Sequence, residues 1–174
     1  MDLPDPKPGQ VVRYSYLWKA EAKRLREEGV KDRPCVVAYQ FHDKQGRHIV
    51  GVAPITHTPQ SDQKTARPIP IKTARRLGLD DRQSWVVTSQ TNEFVWPGHD
   101  LRPAYPRATN KSPVIGHMPD RLTRELRETI FENDRTKKLS RVRRDQLQTH
   151  VEKAKSKGVK TPSKEPRLTK EHER

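Results

Sequence analysis

The chain has 174 residues, a formal net charge of +14 and one cysteine, Cys35. That length favours one domain, and a single cysteine excludes an intrachain disulfide. No apolar run approaches a membrane span, and the first residues lack the basic-then-apolar pattern of a secretory leader, so the expectation is a cytoplasmic protein with no membrane partner.

Residues 1–8 are Pro-rich and read as extended. Gly9 introduces an alternating β-rich stretch, Val11 to Leu17. Trp18, Ala22 and Leu25 follow at helical spacing, with Gly29 suited to the helix end. Arg33 to Phe41 reads as a buried strand, Asp43–Gly46 as a turn, and His48 to Ile55 as the returning strand. Residues 58–67 are a polar loop. Pro68 to Ile71 suits a short edge strand, where proline is tolerated. Thr73 to Leu77 predicts a helical turn or two, stopped by Gly78. Trp85 to Thr88 and Phe94 to Trp96 read as strands, and 99–116 as a long loop. Pro119 opens a convincing helix, with Leu122, Leu126 and Ile130 on one face and Phe131 beside them.

Beyond Asn133 the apolar content collapses; some helix around Leu139 to Val151 is possible, but too little apolar surface remains to fix a fold. Residues 134–174 carry fourteen Lys/Arg against six Asp/Glu. Such a segment suits a polyanionic partner, or serves solubility alone. The reading is an extended segment over 1–8, a mainly β domain with α over 9–133, and a basic, disordered tail over 134–174. Strands arriving mainly as hairpins, with two or three helices, favour a small antiparallel barrel.

Arg33 enters one strand of the central hairpin, while Thr56 and His57 leave the other, so these ends can converge. A fixed cation beside a hydroxyl and an imidazole suits a phosphate held for cleavage. The alternatives are an Arg33 paired with Asp32 or Glu28, a structural Thr56 and an ordinary loop histidine. His42, His48, His57, His99 and His117 show no ligand spacing, so no metal or cofactor is expected. No Gly-rich phosphate loop or serine-hydrolase elbow is present.

Gly9-Gln10-Val11-Val12, Arg33-Pro34 before an apolar strand, and Ala53-Pro54-Ile55-Thr56 resemble the MazF/PemK family, toxins of bacterial toxin–antitoxin pairs. Ile69-Pro70-Ile71, Gly78-Leu79 and Trp85 to Gln90 follow in the family's order, and Asn92 to Gly98 resembles a divergent PemK-like branch. The likeness covers roughly residues 8–132. It implies an SH3-like barrel, a homodimer, an antitoxin partner and metal-independent cleavage of single-stranded RNA through attack of its own 2′-oxygen. Arg33 would stabilise the phosphate and Thr56 position it, with His57 or Glu28 as candidates for proton transfer. Ser89, Gln90 and Asn92 follow a strand that lines the RNA groove in such toxins, although an acidic residue near Ser89 and a basic one near Asn92, common there, are missing. Trp96 either stacks on a base or belongs to the core. The helical insert from Trp18 to Glu28 either gates the groove or simply packs. A non-catalytic nucleic-acid-binding module, for RNA or DNA, and a gyrase inhibitor of the CcdB type use the same architecture.

Overall fold

The computed structural model describes residues 3–26, 29, 31–59, 62 and 64–160. Among these the elements run β1 (Gln10–Tyr14), α1 (Lys19–Lys23), β2 (Arg33–His42), β3 (His48–Thr56), β4 (Ala66–Pro68), α2 (Ile71–Arg76), β5 (Trp85–Val87), β6 (Gln90–Val95), β7 (Val114–His117), α3 (Asp120–Arg135), β8 (Ser140–Arg143) and α4 (Arg144–Ser156). The fold is mixed α and β, built on one eight-stranded sheet.

The β2–β3 hairpin is the spine. Cys35 to Ala38 and Val50, Val52, Ala53 and Ile55 are buried, so both strands read as near-continuous apolar runs. Their tip is built locally. The Asp43 carboxylate accepts the backbone N–H groups of Gln45 (3.0 Å) and Arg47 (2.9 Å), and Gly46 takes a φ of 75° that a side chain would oppose. The register runs from Cys35↔Pro54 to His42↔His48, with an irregularity between Val37 and Tyr39.

β3 forks the sheet. Its first half pairs with β6 (Ile49↔Val95 to Val52↔Asn92) and its end with β5 (Ile55↔Val86, Thr56↔Trp85). The sheet does not close, because β4 and β7 end the main path without pairing to each other. The antiparallel expectation holds for every pair except β6 with β8, which run parallel.

Strand alternation divides the core. Val11, Val36, Ala38, Ala53, Ile55 and Val86 pack with Leu126 and Ile130 of α3. Val12, Tyr14, Cys35, Val37, Val50, Val52 and Phe94 face the other way and pack with Tyr16. The apolar stripe of α3 is the predicted one, although Phe131 beside it stays 43% exposed.

Two expectations are corrected. The helix read from Trp18 towards Gly29 spans only Lys19–Lys23, and Leu25 beyond it has a φ of 58°. Within the segment read as a disordered tail, β8 and α4 form on the domain. A ready strand edge holds β8 through backbone bonds, and Val142 and Val151 bury what apolar surface there is. Arg144 adds a buried ion pair, donating to Asp100 Oδ1 at 2.7 Å and to the Ser15 carbonyl at 3.0 Å. Ten of the segment's fourteen Lys/Arg fall within residues 134–160. Residues 161–174 lie outside the described residues.

Candidate functional site

The β2–β3 ladder stops at Cys35↔Pro54, two positions short of Arg33 and Thr56, so both stand at the open end of the hairpin. Cys35 and Val37, like Val50 and Val52, point into the second core, and Arg33 and Thr56 keep that parity. They share one face. β1 places Tyr14 beside Arg33 and β5 places Trp85 beside Thr56. The result is a row of a cation and a hydroxyl next to aromatic residues.

Arg33 lies with its guanidinium carbon 5.0 Å from the Trp18 ring centroid, a cation–π contact. Its Nε is buried without a hydrogen-bond partner. Asp32, one of its two expected partners, lies 3.6 Å from Arg102 instead. Arg33 forms no ion pair among the described residues; Glu28, the other expected partner and a candidate proton carrier, lies outside them. Burial pushes the Tyr16 phenol and the Cys35 thiol well above their ordinary pKa values, and the Arg33 charge opposes both shifts. Cys35 therefore stays a protonated core residue rather than a nucleophile.

The Thr56 hydroxyl accepts the backbone N–H of Thr58 at 3.2 Å, which fixes the chain as it leaves β3. One residue on, alternation turns His57 towards the opposite face. Its Nε2 lies 3.1 Å from Asp80 Oδ2, and its Nδ1 lies 3.2 Å from both the Gln83 carbonyl and the Ser84 hydroxyl. In the neutral ring, Nε2–H donates to Asp80 and Nδ1 accepts from Ser84. In the imidazolium, Nδ1–H donates to the Gln83 carbonyl. Arg82 holds the Asp80 carboxyl below its ordinary range. Ser84 is 1% exposed, so this serine–histidine–aspartate row ties β3 to the loop before β5 and offers no nucleophile.

The expected RNA-contacting residues occupy different environments. Asn92 is fully buried, with its amide spent on the Leu17 backbone, so it is a scaffold residue and not a base reader. Gln90 accepts the Lys19 N–H at 3.2 Å. Ser89 accepts the Ser140 N–H through its carbonyl at 2.9 Å. Trp96 is half-buried against Phe94, with centroids 6.1 Å apart. Sequence reasoning missed Trp85 as a neighbour of Thr56, and Trp18 as the support of Arg33. Strand register identifies the first, but nothing local identifies the second.

A cleft of about 310 Å³ lies at the hairpin's other end, between its tip and the start of α4. Phe41 and Ile49 contribute its apolar surface, and its arginines are matched: Arg47 pairs with Asp43 and Asp145, and Arg143 with Glu93. Among the described residues no three His, Cys, Asp or Glu side chains converge to hold a metal ion. No protein-family model matches the sequence, and no curated protein matches it.

Proposed function

We propose that the chain is a MazF/PemK-like toxin endoribonuclease that cuts single-stranded RNA through attack of the substrate's 2′-oxygen, leaving a 2′,3′-cyclic phosphate and a 5′-hydroxyl. The observation that carries this reading is Arg33, a guanidinium with no ion pair among the described residues, laid on Trp18 at the same hairpin end and face as Thr56. A guanidinium without a carboxylate partner is free to donate paired hydrogen bonds to a phosphate, which stabilises charge as it builds on the phosphorus oxygens. Thr56 orients that phosphate, and Trp85 beside it offers a ring on which a base can stack. The forked, unclosed sheet would be this family's SH3-like barrel in divergent form, and the family reading also carries a homodimer and an antitoxin partner.

Incubating the purified protein with a long single-stranded RNA in EDTA tests this. Discrete cuts with 5′-hydroxyl ends, lost in Arg33→Ala, are the expected result. Cleavage that survives Arg33→Ala sinks the assignment.

One observation favours a second reading, a binding module without catalysis. His57 faces Asp80 and Ser84, so among the described residues no imidazole stands beside Arg33. RNA retention by the intact protein with no cutting identifies that case.

A further inference from the structure

The five residues from Ser15 to Lys19 cross the sheet as a strap, and side chains from distant segments hold its backbone at alternate positions. Ser15 N–H donates to the Asp100 carbonyl at 2.9 Å, and the Ser15 carbonyl accepts from Arg144 at 3.0 Å. Both backbone groups of Leu17 bond to Asn92, which accepts the N–H at 3.0 Å and donates to the carbonyl at 2.8 Å. Lys19 N–H donates to Gln90. The rings between these anchors, Tyr16 and Trp18, meet edge to face at 5.1 Å, and Arg33 lies over Trp18. Asn92 and Arg144 are almost wholly buried and also approach each other at 3.5 Å, so the anchors form one connected unit.

We propose that Asn92, Gln90 and Arg144 are positioning residues for Arg33: they fix the strap at the depth where Trp18 receives the guanidinium. A cation–π contact alone holds a guanidinium loosely. Anchoring the ring from both β6 and α4 converts it into a defined platform, and a defined platform is what a phosphate contact needs. The value of this platform to RNA chemistry rests on the function proposed above, but its existence does not.

The test is the ¹H–¹⁵N signal of the Arg33 Nε–H, whose burial slows its exchange with water. Arg33→Lys assigns the signal by deleting it, and Trp18→Leu gives its position without the ring current. In Asn92→Ala and Gln90→Ala the signal is expected to move towards the Trp18→Leu position while the β2–β3 amide signals stay in place. An Arg33 signal unmoved in folded Asn92→Ala overturns the proposal. If Asn92→Ala fails to fold, Gln90→Ala decides by the same criterion, since it removes only the bond at the exposed end of the strap. RNA cleavage is read in parallel. A moved signal with wild-type cleavage refutes a catalytic role for this corner and leaves the positioning intact.

Discussion

Replacing Asp100 with alanine removes the carboxylate that Arg144 donates to, in a site where the Arg144 side chain is 5% exposed and the Asp100 side chain 2% exposed. The bond lost is a 2.7 Å charge-assisted contact in a site with little solvent to take over. Breaking a buried pair from one side costs about 3–5 kcal/mol. That is a large share of the roughly 5–15 kcal/mol that holds a domain together. At this chain length it lowers Tm by roughly 6–20 °C. Urea melts followed by tryptophan fluorescence measure it. The loss persists in high salt, because a buried pair is poorly screened. Replacing both members with apolar residues, Asp100→Leu with Arg144→Met, removes the buried charge together with its carboxylate. The double variant is therefore more stable than Asp100→Ala by about 1 kcal/mol or more. A loss under about 1 kcal/mol in Asp100→Ala, the range of exposed pairs, refutes the claim that this segment is clamped from inside.

Cutting the chain after Asn133 removes Arg144 and bares the edge of β6, and circular dichroism should show cooperative unfolding lost or shifted down at least as far as in Asp100→Ala. Cutting after Lys160 removes four Lys/Arg and three Asp/Glu, so the salt dependence of RNA binding should barely change; a clearly flatter slope would place the polyanion contact in residues 161–174. Burial chiefly, with the Glu93 charge next, raises the Tyr39 phenol from its usual 10 to about 12, and burial raises the Tyr14 and Tyr16 phenols well above the usual 10. The unfolded chain then releases these protons first, so the stabilisation is intact below pH 10 and falls as pH rises through 10 to 12, by up to about 1.4 kcal/mol per pH unit for each phenol. Unfolding free energies across that window, with absorbance at 295 nm, check the sign. Gly51→Ala drives a methyl into the ring of Tyr39, whose hydroxyl donates to Glu93 at 2.8 Å, and should cost about 1–3 kcal/mol in a denaturant melt.

Local chemistry determined the β2–β3 hairpin, the Asp43–Gly46 tip, the stop of α2 at Gly78 and the apolar stripe of α3. Each depends on residues within a few positions of one another, so periodicity and turn preferences suffice. That Arg33 and Thr56 fall at the same open end of the hairpin was legible for the same reason, since it follows from hairpin register. Tertiary structure alone decided the rest. Residues 140–143 contain a single apolar side chain, Val142, and become a strand only because β6 offers an edge some fifty residues away in sequence. Asn92 reads as a groove residue until Leu17 is laid across it, and Arg144 as a tail charge until Asp100 meets it. Asp32 lies 3.6 Å from Arg102, and Arg33 has no ion pair among the described residues; His57 faces Asp80 and Ser84. Which charges pair, and which are left over, depends on distances of a few ångströms between segments that the sequence places far apart, because electrostatic pairing in a poorly solvated site depends steeply on separation and burial.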